Sequence, residues 1–351
     1  MIERKGNLDR VIYFDILKII AALGVVIIHV SSEGWKTADP MSGNFAVRTV
    51  YMSVVYWAVP VFVMISGALF LSKERSIRKI YRNNIMPLII AFLFWSGVYA
   101  ILPFSATRQD KSILESFISG EYHMWFVFMI IGLYMIVPFL RKIIQRARLT
   151  YYFLTLSFVF AFLVPRVIAV LDTKYSGIAY FVNEDIRYLN LHMVMGYTGY
   201  FILGYLLHTK ALAKKIRIII YVLGCAGVLV TVIATIVVSM KAGKPSMFFL
   251  DYLSPNVLCM SCAVFCFAKE HFNIAKHERT KTVLKNLSEA TFGLYLIHVL
   301  IITIFSHFFN ISSISFDAII SVPVVSVLIY LISMLISLGL TKIPFVGKYI
   351  V

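Results

Sequence analysis

Three side chains near the start of the sequence do not suit their surroundings. Asp15, Lys18 and His29 interrupt a stretch, residues 11–31, that is otherwise apolar, aromatic or small. On a helix, Asp15 and Lys18 lie one turn apart and can pair. Lys18 and His29 are eleven residues apart, which at about 100° per residue returns nearly to the same face. The rise of a helix then separates them by about 16 Å along the axis. An imidazole titrates close to neutral pH and can take up and return a proton. A fixed cation can stabilise a developing oxyanion. The bland alternative is that Lys18 snorkels to a membrane surface while His29 sits at the opposite interface. Lys18 lies about 12 Å beyond Arg10 along the helix, a long reach for a snorkelling chain. Charge inside an apolar span usually faces a protein interior or a water-filled cavity.

A second group lies in Ser288-Glu289-Ala290-Thr291-Phe292-Gly293-Leu294-Tyr295-Leu296-Ile297-His298. Tyr295 and His298 share a face one turn apart, with Glu289 two to three turns below. A lone His in such a helix also serves simply to bond neighbouring helices together. A third group is His123-Met124-Trp125-Phe126, where Trp125 by itself suits any membrane interface. A fourth is the basic run Arg75, Arg78, Lys79 and Arg82 ahead of Pro87, whose cations suit phosphates. Glu33, Asp39, Glu121, Glu184 and Asp185 are loop carboxylates, solvated charges or contacts for a polar substrate. Cys225, Cys259, Cys262 and Cys266 all fall in apolar stretches, where Cys behaves as a small hydrophobe. They carry no metal signature and define no redox compartment. There is no phosphate-cradling Gly-rich loop, paired zinc motif or nucleophile elbow. An ATP-driven pump and a serine hydrolase therefore have no support.

These groups are positioned by helices that cross a bilayer. Hydrophobic residues make up 60% of the chain and charged residues 14%, with a mean hydropathy of +0.86. The apolar content falls in runs of about 20 residues, the length of a spanning helix, without the alternation of barrel strands. The expected spans are 11–31, 49–72, 85–104, 123–140, 150–171, 189–208, 217–240, 249–268, 288–309 and 317–340. The sixth is the weakest, opening on Asn183-Glu184-Asp185 and containing His192. The first run is long, and Val30-Ser31-Ser32-Glu33 lacks a small-x-small cleavage site, so it reads as a retained span. The net charge of +16 is not a nucleic-acid footprint. With both ends inside, 23 of the 33 Lys and Arg fall on the cytoplasmic side and 8 in outer loops. That asymmetry follows the positive-inside rule. The reading is an all-α membrane protein, a bundle of about ten transmembrane helices in one domain over residues 1–351, with both termini cytoplasmic. It is expected as a multi-pass protein of the cytoplasmic membrane.

The chain resembles the acyltransferase-3 family of integral membrane O-acyltransferases. Within it, the resemblance is greatest to the WecH-like branch, typified by the enterobacterial common antigen acetyltransferase. Asp15-Ile16-Leu17-Lys18 through His29 is similar to the family's Asp-x-x-Arg followed by ten residues and His. Val59-Pro60-Val61-Phe62-Val63-Met64-Ile65-Ser66-Gly67-Ala68-Leu69-Phe70 resembles its second span. The basic run leading to Pro87 and Trp95 resembles the approach to its third. His123-Met124-Trp125-Phe126 through Tyr134 and Pro138 resembles the fourth span, and Phe201-Ile202-Leu203-Gly204-Tyr205 the sixth. Thr291-Phe292-Gly293-Leu294-Tyr295-Leu296-Ile297-His298 resembles the family's Ser-Phe-Gly-x-Tyr-Leu-x-His stretch. One departure stands out. Lys18 occupies a position where the family more often has Arg, so the charge is kept and the planar bidentate fork is lost.

The resemblance implies transfer of an acyl group, most often acetyl, from acyl-CoA to a hydroxyl of a cell-surface polysaccharide or lipid-linked sugar precursor. It implies no metal cofactor and no nucleic-acid partner. His29 is the expected base or acyl relay, with Lys18 and Asp15 on the inner half of the path. Tyr295 and His298 are expected to line the same cavity. Arg75, Arg78, Lys79 and Arg82 are expected at the coenzyme A phosphates, and His123 and Trp125 on the acceptor side. The rivals are a transporter or flippase for a polysaccharide precursor or small anion, and a membrane sensor module. Transporters of that kind often carry internal repeats; the polar groups at 15–29 and 289–298 share neither order nor spacing.

Overall fold

The structure is a computed structural model and describes residues 10–106, 111–174, 188–272 and 277–351. Every regular element among the described residues is helical. The chain opens with α1 (Ile12–Ser32), followed by α2 (Gly43–Val55) and α3 (Ala58–Leu71). Then come α4 (Ile77–Ile80), a π-helical turn (Tyr81–Ile85), α5 (Met86–Ile101), α6 (Ile113–Ser119) and α7 (Trp125–Ile144). After α8 (Ala147–Ser157) and a second π turn (Phe158–Leu163) the chain runs through α9 (Val164–Lys174) and α10 (Thr198–Thr209). The last elements are α11 (Lys214–Ala242), α12 (Pro255–His271), α13 (Glu278–Phe309), α14 (Ala318–Thr341) and α15 (Val346–Tyr349).

Eight helical stretches among the described residues are long and apolar enough to cross a membrane. The other two of the ten expected spans are shorter. Around 189–208 the helix is only α10, with 12 residues, because residues 189–197 form turns and irregular backbone instead. Around 249–268 it is α12, 17 residues beginning at Pro255. Both are packed into protein: Tyr200, Phe201 and Ile202 of α10 and Val257 and Phe265 of α12 are fully buried. Asn183-Glu184-Asp185 lies outside the described residues.

Sequence accounts for the breaks and the close crossings. α2 and α3 form one traverse, broken at Tyr56–Trp57, because Pro60 offers no N–H to the Tyr56 carbonyl four residues back. α10 crosses α3 backbone to backbone. A β-carbon on Gly67 would overlap the Phe201 carbonyl, and one on Gly204 the Met64 carbonyl. Small residues at such crossings let membrane helices approach.

α1 lies between two packed layers. Tyr13, Leu17, Ala21 and Val25 join the core formed with α3, α7, α10 and α12. Ala22, Val26 and Val30 join a second core formed with α5, α13 and α14. Polar ties fix both ends of this seam. At the end carrying the basic connections, Arg10 grips Asp15 through two bonds of 2.6 and 2.8 Å and reaches Glu289 of α13 at 2.9 Å. At the other end, the buried Arg48 donates to the Glu33 carbonyl (2.9 Å) and the Ser313 hydroxyl (2.7 Å), while Ser313 N–H donates to Glu33 (3.1 Å). Burial raises the Glu33 carboxyl above its ordinary range, opposed by its Ser313 bonds and the nearby Arg48.

Candidate active site

The seam beside α1 opens into a cavity of about 320 Å³. Lys18, Ala22, Val25 and His29 line it, at helical spacings of four, three and four residues. Lys18 and His29, expected on one face of the helix, therefore share one wall of the cavity, and Asp15 is not part of its lining. His123 and Trp125 line it from the start of α7, and Tyr295, Phe292 and Glu289 from α13.

At its far end from the basic connections, three imidazoles meet. The His29 ring centre lies 4.9 Å from that of His298 and 6.3 Å from that of His123, and the last two are 5.2 Å apart. His298 Nδ1 lies 2.7 Å from the Tyr295 carbonyl. A carbonyl only accepts, so Nδ1 carries the proton and Nε2 is left with its lone pair. That Nε2 is buried and has no protein partner. The Tyr295 hydroxyl donates to the His123 carbonyl at 2.5 Å, fixing α13 against the start of α7.

Two residues without any sequence signal complete this end. The Tyr122 hydroxyl lies 3.3 Å from His29 Nδ1. The Tyr99 hydroxyl donates to the Leu296 carbonyl (2.8 Å) and accepts from the Leu300 N–H (3.0 Å). These are two groups an α-helix would bond to each other, so Tyr99 intrudes on the ladder of α13 beside His298. Both tyrosines come from distant parts of the chain, and only the fold brings them to the histidines. Of the rings at this end, Trp125 and Tyr252 line the cavity and belong to a larger aromatic stack. Trp125 stacks on Tyr252 at 6.0 Å, Tyr252 on Tyr56 at 4.6 Å, and Tyr197 lies 5.7 Å from Trp125.

Other expected residues stand elsewhere. Asp15 pairs with Arg10 and not with Lys18, because Arg10 presents a two-pronged fork at the helix start. Among the described residues Lys18 makes no ion pair and faces the cavity. Arg75, Arg78, Lys79 and Arg82 do not line the cavity: Arg75 precedes α4, Arg78 and Lys79 lie on α4, and Arg82 lies on the following π turn. Arg78, Lys79 and Arg82 are exposed there. Arg75 covers the Phe70 ring at 4.8 Å and bonds Asn84. The loop carboxylates have structural partners: Glu33 as above, Asp39 accepting from the Met41 N–H, and Glu121 accepting from the Ser105 hydroxyl. Glu184 and Asp185 lie outside the described residues. The four cysteines are free, and no described group of His, Cys, Asp or Glu is arranged to hold a metal ion.

A family model described as an acyltransferase domain matches residues 11–341, from the first residues of α1 to the end of α14. The chain belongs to the acyltransferase-3 family. No curated protein and no solved structure matches it. Membership in this family supports acyl transfer in general as the activity, and the match takes in every wall of the cavity described above. An acyltransferase needs a donor thioester or ester and an acceptor nucleophile brought to one point with a base. The cavity brings three imidazoles together at one end.

Proposed function

We propose that the protein is a membrane-bound O-acyltransferase. It passes an acyl group, acetyl in the first instance, from acyl-CoA to a hydroxyl of a cell-surface polysaccharide or lipid-linked sugar precursor. The observation that carries this reading is the single cavity with Lys18 towards the basic end and His29 among three imidazoles at the other. The charge asymmetry of the connections supports a cytoplasmic basic end and cytoplasmic termini. The protein then sits in the cytoplasmic membrane with its aromatic mouth outward.

In this reading His29 Nε2 takes the proton from the acceptor hydroxyl while Tyr122 accepts from Nδ1–H. The hydroxyl oxygen bonds to the thioester carbon, the C–S bond breaks, and the thiolate recovers the proton from His29. Atoms and charge balance without a further reactant. His298 and His123, at 4.9 and 6.3 Å from His29, keep its surroundings polar as that proton moves. Lys18 lies about 16 Å along the helix from His29, too far to polarise the carbonyl under attack. Its charge serves the donor on the way in. Arg10 and Asp15 hold the start of α1 in place. Trp125, Tyr252 and Tyr197 offer ring faces against which a sugar can lie.

The test is to supply membranes containing the protein with radiolabelled acetyl-CoA and identify the labelled glycan. His29→Ala, with expression and membrane insertion verified, should abolish the label; full retention would remove His29 from the mechanism. Absence of transfer from any acyl-CoA, together with uptake or flipping of a glycolipid, would establish the transporter instead.

A further inference from the structure

A second cavity, of about 580 Å³, lies on the outside of the bundle and shares no lining residue with the first. It is a groove with α1 and the α2–α3 break on one side and α11 and α12 on the other. Ile20, Val54, Cys225 and Phe267 are exposed along it, while Leu17 and Met260 are fully buried beneath. Val54 and Trp57 mark one end, midway along the traverse made by α2 and α3. There Trp57 Nε1–H donates to the Val54 carbonyl (2.8 Å), so the ring meets the groove as an apolar surface. His271 and Phe272 mark the other end, where α12 stops. His271 and Met260 are eleven residues apart on α12, about 16 Å of helix. That is the depth of one leaflet in a hydrocarbon core about 30 Å thick.

The end at His271 carries the charge. Lys214 and Arg217 stand seven and four residues before Tyr221, on the face of α11 that lines the groove. Residues 210–221 and 255–272 together hold five Lys and Arg against one carboxylate, Glu270. Both oxygens of Glu270 are engaged, one by Arg217 Nε at 2.8 Å and one by the Tyr221 hydroxyl at 2.9 Å. Lys269 donates to the carbonyls of Leu207 (2.7 Å) and Lys210 (2.9 Å), which draws the 210–214 turn against α12. Basic connections follow from topology alone. This one is distinguished by its continuity with an apolar groove one leaflet deep.

A hydrocarbon chain with an anionic phosphate at its head complements both parts. We propose that the groove is a binding site for an anionic phospholipid of the leaflet on the basic side. One acyl chain lies over Leu17 and Met260 and ends at Trp57. The phosphate rests against Lys214 and the outer edge of the Arg217 guanidinium, which Glu270 holds in place. Leu17 and Ile20 flank Lys18 on α1, so the chain braces from the lipid side the helix that carries Lys18 and His29. The inference does not depend on which donor or acceptor the cavity takes.

The experiment titrates the full chain, purified in detergent, with dioleoyl phosphatidylglycerol and with dioleoyl phosphatidylcholine. The two share their chains and differ in head charge. Bound lipid is counted by native mass spectrometry, and Tm is followed in parallel. The wild type should hold one phosphatidylglycerol at least about fivefold more tightly than phosphatidylcholine, the worth of one cation at an anionic head, with a rise in Tm. Lys214→Gln should weaken phosphatidylglycerol about fivefold and leave phosphatidylcholine unchanged. Cys225→Trp fills the groove from an exposed position and should abolish the tight site for both lipids. Lys214 is exposed on the first turn of α11, so its variant decides the matter if Cys225→Trp fails to fold. Equal affinities in the wild type, non-saturating uptake, or a tight site undiminished in either variant would overturn the proposal. A wild-type dimer that Cys225→Trp converts to monomer would assign the groove to a second copy of the chain instead.

Discussion

At the scale of residues, a base needs a partner that fixes which nitrogen carries the proton. For His298 that partner is the backbone carbonyl of Tyr295, one turn earlier in the same helix. For His29, the proposed base, it is Tyr122, on a segment 93 residues away. Tyr122→Phe keeps the ring and removes the hydroxyl. It should lower kcat/KM about tenfold, the worth of one hydrogen bond, and displace the pH–rate profile. A wild-type profile in the variant would show that Tyr122 only packs. The spacing of Lys18 and His29 was legible in the sequence because a helix turns every residue by a fixed angle. The Asp15–Lys18 pairing read from that same spacing did not form, because Arg10, outside the helix, reaches Asp15 with two donors. Tyr99 and Tyr122 carried no signal, since a tyrosine near a membrane interface has an ordinary explanation.

At the scale of elements, eight of the ten expected spans appear as long helices because runs of about 20 apolar residues have few other ways to satisfy their backbones in lipid. The other two, around 189–208 and 249–268, are shorter helices, and several of their apolar residues, such as Phe201 and Phe265, are buried against other helices. α10 is the clearest case: it is held by its glycine crossing with α3 and not by length. Gly204→Leu should therefore destabilise the protein by about 1–3 kcal/mol or more, measured by thermal unfolding in detergent. Gly132→Ala in α7 is the contrast. Nothing lies within 4 Å of the added carbon, so Tm should hold or rise slightly. Equal effects at the two sites would mean that the α3–α10 contact is not tightly packed.

At the scale of the whole molecule, α1 is shared between two packed layers, and the cavity runs along the seam. One helix thus carries both Lys18 and His29 and keeps their separation fixed. This arrangement has an electrical consequence. In the proposed reaction an ester and a thiol leave where a thioester and an alcohol arrived, and the one proton in motion starts and finishes beside His29. With the proton's path local to His29 in that reaction, no net charge traverses the membrane field during a turnover. Each elementary charge that did cross would couple to that field by about 2.3 kcal/mol per 100 mV. In sealed vesicles carrying a potassium diffusion potential, the acylation rate should be the same at either polarity. A rate that followed the voltage would mean that an ion travels with the acyl group.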